Sequence, residues 1–196
     1  MPEIVNDLEF KCKCCGQCCR RDPYYAVSLL DIRNISMGLR LQPQAFFERY
    51  CAVMMTPGGF RYPVILAPDG CPFLRDQLCV IHLVKPIGCW VFPESALLTA
   101  RELKRHMTAI GDCAIMDLPN DDRPLRTDHE LLAARDLQFE HTKKYFEDHE
   151  EFEETPWQEA TDRLIEKLQD SEELERRTQA LRARANSMVT RSQSLI

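Results

Sequence analysis

Phe10-Lys11-Cys12-Lys13-Cys14-Cys15-Gly16-Gln17-Cys18-Cys19 decides how this chain is read. Taken in steps of three it is Cys12-x2-Cys15-x2-Cys18, with Cys19 directly behind. A two-residue spacer lets the chain turn back, so that successive thiolates converge on one centre. Gly16 relieves crowding in that turn and lets amide N–H groups point at sulfur. One such pair could arise by chance. Three in register, followed by Cys71-Pro72, Cys79, Cys89 and Cys113, point to a metal or iron–sulfur site.

All 10 cysteines of the 196 residues fall between Cys12 and Cys113, and the last 83 residues hold none. That asymmetry predicts a cysteine-cluster metal-binding domain over 1–118 and a helical extension over 119–196. The start, Met1-Pro2-Glu3-Ile4-Val5, has neither a basic segment nor an apolar one, so no secretory signal is read there. No apolar run approaches the ~18 residues of a membrane span. The expected location is therefore the cytoplasm, where thiols stay reduced and serve as metal ligands rather than disulfides.

A net charge of −6 argues against a nucleic-acid binder, whose footprint would be basic. The acid is concentrated late. Residues 140–175 carry fourteen Asp or Glu against four Lys or Arg, and five Arg with no acid follow from Arg176. Such a polarity suits a solvated or partner-facing helix.

The fold class read from these patterns is mostly α with short β segments. An irregular, metal-stapled cysteine-cluster domain carries a long C-terminal helical extension. Residues 1–25 read as irregular. Ser28 and Asp31 form a capping-box start, and Gly38 suits the end of that helix. A second helix starts at Gln42-Pro43 and is broken by Pro57-Gly58-Gly59. Phe60 to Ala67 reads as a strand, Pro68-Asp69-Gly70 as a turn, and Thr99 to Met107 as a helix. Leu118 to Arg126 reads as a polar linker, and a helix runs from Thr127 or Asp128 to about Glu150. Thr155-Pro156-Trp157 predicts a fresh helix start. Trp157 and Leu164, with Leu174, Leu181 and Met188, trace an interrupted seam. It fits either a docking helix for a protein partner or a helix packed on its own domain.

The cysteine spacings leave zinc and iron both open. Zinc favours two Cys-x2-Cys pairs, and only the first cluster has that step. Cys-x2-Cys-x2-Cys with a Cys-Pro elsewhere matches a ferredoxin-type ligand set, though here Cys71-Pro72 lies far downstream. Cys18 and Cys19, in an extended chain, would point to opposite faces, which suggests two centres or one multinuclear cluster. The expected ligands are Cys12, Cys15, Cys18, Cys19, Cys71, Cys79, Cys89 and Cys113. Cys51 reads as a buried inert thiol and Cys14 as supernumerary. His82 stands at ligand spacing from Cys79, where packing is the competing role. Glu94 could accept a hydrogen bond near Cys89.

These motifs, from Phe10-x-Cys12 through Cys71-Pro72-Phe73-Leu74, Cys79-Val80-Ile81-His82 and Lys85-Pro86-x2-Cys89, resemble the YkgJ-type cysteine-cluster family. It is also called CxxCxxCC, a zinc- or iron-chelating domain. The resemblance covers residues 8–115. It implies metal binding more directly than a reaction, and it implies that Cys113 is a late member of the ligand set. Two departures stand out: Lys85 replaces an Arg before Pro86, and Trp90 replaces an Arg after Cys89. A related domain resembles part of the flagellin lysine methylase, where an iron–sulfur cluster has been associated with the same cysteine pattern. No glycine-rich nucleotide loop appears here, so the methylase activity does not carry over.

The expected function is thus a cysteine-ligated metal protein. It would hold an iron–sulfur cluster and serve electron transfer or a redox assembly as a subunit. The alternatives are a structural zinc interaction module, a metal-dependent transferase-like accessory protein, and metal storage or delivery. No catalytic residue is assigned: no Ser-His-Asp set, P-loop or recognisable carboxylate pair is present.

Overall fold

A computed structural model describes residues 15–21, 23–92, 95–107, 113–118, 120, 122, 124–125 and 129–169. Ser28 opens the first long helix. Its hydroxyl accepts from the Asp31 N–H at 3.0 Å, and the Asp31 carboxylate accepts from the Ser28 N–H at 2.8 Å. This reciprocal capping box satisfies two amides that the first helical turn leaves open.

Seven α-helices are described. They are α1 (Cys18–Arg21), α2 (Leu29–Leu39), α3 (Pro43–Tyr50), α4 (Ile87–Val91), α5 (Ala100–Met107), α6 (His129–Asp148) and α7 (Glu154–Gln169). The strands are short. β1 (Tyr24–Ala26), β2 (Cys51–Met55) and β3 (Arg61–Leu66) form an antiparallel sheet in the order β1-β3-β2. β4 (Leu74–Arg75) pairs with β5 (Leu78–Cys79), and β6 (Ser95–Thr99) with β7 (Pro124–Leu125), both antiparallel.

The core gathers Leu29, Ile32 and Ile35 of α2, Phe46 of α3, Phe146 of α6 and Trp157 of α7. Buried polar groups tie the same helices together. Ser28 donates to the Gln138 side chain at 2.8 Å, and the Leu29 N–H donates to the Thr142 hydroxyl at 3.0 Å. Thr142 in turn donates to the Gln138 carbonyl at 2.7 Å. Residues before and after position 118 thus share one core.

Several expectations change. Gly38 does not cap α2; Arg40 does, in the left-handed region at φ 56°. Gly38 instead admits a close neighbour, because a Cβ there would lie 2.7 Å from Cγ2 of Val84. The second helix ends at Tyr50, short of Pro57, and Cys51, its C-cap, begins β2, because residues 51–55 find backbone partners on β3. Residues 1–25 are not wholly irregular, since α1 and β1 lie among them. The polar linker contains β7, which pairs with β6. Trp157 and Leu164 are buried, with α7 packed on α2 and α6, which is the own-domain packing alternative. Leu174, Leu181 and Met188 lie outside the described residues.

Candidate metal centre

Four segments bring thiols together, the fourth being Cys113 just before the 3-10 helix Ala114–Asp117, and the other three carry the rest. The first is Cys15 with α1, which starts at Cys18 and carries Cys19. The second is the β4–β5 hairpin with its flanks, Cys71 before it and Cys79 at its end. The third is α4, which carries Cys89. Each is fixed by a nameable contact.

The Cys71 N–H donates to the Cys19 carbonyl at 2.6 Å, joining the first segment to the second. Gly70, at φ +94°, makes this approach possible: a Cβ there would meet that same carbonyl at 3.2 Å and Cα of Arg20 at 3.3 Å. The hairpin turns at Asp76 and Gln77, with φ of 46° and 68°. Positive φ at both central residues is the turn that matches strand twist in a two-residue hairpin. The third segment hangs from Asp31. Besides its part in the capping box, the Asp31 carboxylate accepts the Ile87 N–H at 2.8 Å, at the start of the Cys89 helix. One buried carboxylate thereby fixes two helix starts.

The thiols sense one another. The Cys19 thiol, which lies 3.8 Å from that of Cys18, raises the Cys18 pKa well above its ordinary value, and burial adds to it. Burial also raises Cys71, Cys79 and Cys89, Cys79 to about 11. Negative charge on Cys18 raises all three, and Cys71 and Cys79 both act on Cys89. Cys113 is raised first by burial and then by a hydrogen bond with Cys15. Six cysteines, Cys15, Cys18, Cys71, Cys79, Cys89 and Cys113, therefore form one electrostatic group, and Cys19 joins it through Cys18.

Opposing influences favour thiolates at the same atoms. The backbone amides of Phe73, Ile81 and Ile115 donate to the sulfurs of Cys71, Cys79 and Cys113 respectively. The pattern repeats: each sulfur receives the N–H two residues on, and such bonds stabilise the charged form. Lys85 lowers Cys18, Cys79 and Cys89, and Arg75 lowers Cys71. The Lys85 ammonium sits 4.4 Å from the centre of the Trp90 ring, a cation–π contact. Trp90, which stands where the resemblance has an Arg, thus holds a cation beside the thiols.

Cys18 and Cys19 do not diverge. They open a helical turn, where adjacent side chains are not opposed, and their sulfurs are 3.8 Å apart. Two sulfurs on a tetrahedral ion with bonds of about 2.3 Å would also be roughly 3.8 Å apart, so the pair could share an ion. The opposite-face case for two centres therefore falls. Cys51, half-buried in β2, has burial alone acting on it, which lifts it to about 12. No thiol of the group acts on it, as suits an inert thiol. Cys12, Cys14 and Glu94 lie outside the described residues.

The described cysteines are all free thiols. Among the described residues no three Cys, His, Asp or Glu side chains are drawn together tightly enough to hold a metal ion. The donor chemistry nonetheless fits a thiophilic metal. The thiols come from four segments, three of them receive amide N–H bonds, and Lys85 and Arg75 stand as counter-charges. No described helix is long and apolar enough to cross a membrane.

The family model for CxxCxxCC, described as a putative zinc- or iron-chelating domain, matches residues 11–119. No curated protein and no solved structure matches the chain.

Proposed function

The chain belongs to the CxxCxxCC family of zinc- or iron-chelating domains, and from that premise we propose that Cys18, Cys71, Cys79 and Cys89 ligate an iron–sulfur cluster. The protein would then act as an electron-transfer subunit of a redox assembly. One observation carries the reading: these thiols, from three segments, share one electrostatic group into which Lys85 projects its charge. Cys15, Cys19 and Cys113 belong to the same group, more sulfur than one four-coordinate ion needs. Cys12 would complete the set as a ligand from outside the described segment.

The cluster, when bound, supplies a one-electron couple whose potential depends on charge and on hydrogen bonds to sulfur. The residues of the chain would set both. The amides of Phe73 and Ile81 stabilise thiolate charge at Cys71 and Cys79. Lys85 and Arg75 offset it. Asp31, through the Ile87 N–H, holds the helix that presents Cys89.

A structural zinc module is the second reading. The sulfur–amide turns at Cys71 and Cys79 support it as well, since such turns equally suit a tetrahedral thiolate site. Metal and sulfide analysis of protein purified without oxygen separates the two. Iron with stoichiometric sulfide, and a broad visible band that bleaches on reduction, supports the cluster. A colourless protein with zinc supports the second reading, and a protein without metal overturns both.

A further inference from the structure

We propose that His82 is a nitrogen ligand of the same centre, through Nε2. The inference rests on the reading that a metal is held by the neighbouring cysteines, and it adds a donor to that site.

Two buried side-chain nitrogens among the described residues have no hydrogen-bond partner, Nε2 of His82 and Nε1 of Trp157. They differ in chemistry. An indole nitrogen carries a hydrogen and no available lone pair, so Trp157 can only donate, and it sits in the helical core. An imidazole nitrogen can carry a lone pair, and His82 belongs to the thiol-bearing segment. Leaving a buried polar atom unpaired costs about 1–3 kcal/mol, so nearly all such atoms in folded proteins have a partner. A metal ion would be that partner.

The local chain sets His82 at ligand spacing from Cys79, on a turn. Cys79 ends β5, Val80 and Ile81 form a turn, and His82 opens the 3-10 helix His82–Val84. The Val80 N–H is fixed on the Phe73 carbonyl at 2.9 Å, and the Val84 N–H on the Ile81 carbonyl at 2.9 Å. The Ile81 amide meanwhile donates to the Cys79 sulfur. In a four-residue turn the last residue returns to within about 7 Å of the first, Cα to Cα. Cys79-x2-His82 is thus a ligand-spaced pair on a turn whose first member already has its sulfur hydrogen-bonded.

The surroundings keep the ring neutral. The Trp90 ring lies 6.0 Å away, centroid to centroid, and makes no hydrogen bond with Nε2 of His82. Burial, then the charge of Lys85, lowers the imidazole to about 4, so no proton competes for the lone pair near neutrality. Packing alone would be served by a carbon ring of the same size, without a stranded nitrogen.

The test is X-ray absorption at the zinc edge on the full chain loaded with zinc alone, beside His82→Phe and His82→Cys. The expected result is a nitrogen scatterer at about 2.0–2.1 Å with sulfur at about 2.3 Å, the nitrogen being lost in both variants. His82→Phe should also release zinc to a chelator at least about tenfold faster, and His82→Cys should restore retention with an all-sulfur shell. A wild-type shell of sulfur alone, or nitrogen that persists in His82→Phe, overturns the inference and leaves the cysteine site standing. A chain that takes up no zinc overturns the inference, and the cluster reading then rests on its own iron and sulfide analysis.

Discussion

The α2–α6–α7 helices and the segment from Cys71 to Val91 are built on different principles. The helices bury large side chains completely: Leu29, Ile32, Ile35, Phe146 and Leu164 have no more than 1% of their surface exposed. Their buried Ser28, Asp31, Gln138, Thr142 and Thr161 all have hydrogen-bond partners. The cysteine segment has two-residue strands, a three-residue 3-10 helix and a five-residue α-helix, and it leaves Leu78, Val80 and Leu83 exposed. Elements this short bury too little apolar surface to stand by themselves. The comparison teaches that one region holds its shape by packing throughout, whereas the other plants Phe73 and Ile81 in the same core, packs Ile87 and Val91 near Leu132 and Phe139, and leans for the rest on a few hydrogen bonds and on whatever its thiols bind.

The sharpest break should come from Cys89→Ser. It removes the donor that the third segment contributes, so metal content should fall to background while the helical circular dichroism stays. Loss of helix along with the metal would show that the two regions are not separable. Phe146→Ala attacks the other side. A fully buried phenylalanine cut to alanine costs about 3–5 kcal/mol, read as a lower urea midpoint.

Asp31→Asn tests the joint between the regions. An amide can accept at one oxygen only, so one of the two N–H groups, Ser28 or Ile87, loses its acceptor. The expected cost is about 1–3 kcal/mol, together with faster loss of metal to a chelator. The pH dependence carries a sign. Burial, partly offset by bonds from Ser28 and Ile87, raises Asp31 from 3.8 to about 6. The folded chain thus favours the protonated acid, and this contribution to stability is complete below the ordinary value and lost as pH rises through about 6. In metal-free protein, wild type should lose stability across that window while Asp31→Asn should not. The mildest change is Gln77→Gly. Gln77 holds φ 68°, which glycine adopts without penalty, so the hairpin should gain a few tenths to about 1 kcal/mol.

Features encoded within a few residues were legible in the sequence. Ser28 and Asp31 announced their capping box, Pro43 its helix start, and Phe60–Ala67 its strand, since each depends on near neighbours. What escaped depends on distant ones. Gly38 looked like a helix end, yet it makes room for Val84. Asp31 gave no hint of its bond to Ile87, 56 positions away. Cys18 and Cys19 carry no local signal of a helix, yet the chain there is helical. The thiols were legible as candidates because thiol chemistry is visible in residue type. The grouping around Cys18 was not, because it needs four segments to meet.

Hydrogen exchange by mass spectrometry, on metal-loaded protein and again after chelation, tests the central claim most directly. The account predicts that amides of Cys71 to Val91 lose protection when metal is removed, while those of α2, α6 and α7 keep theirs. Protection lost uniformly across both regions, or unchanged between Cys71 and Val91, would contradict it.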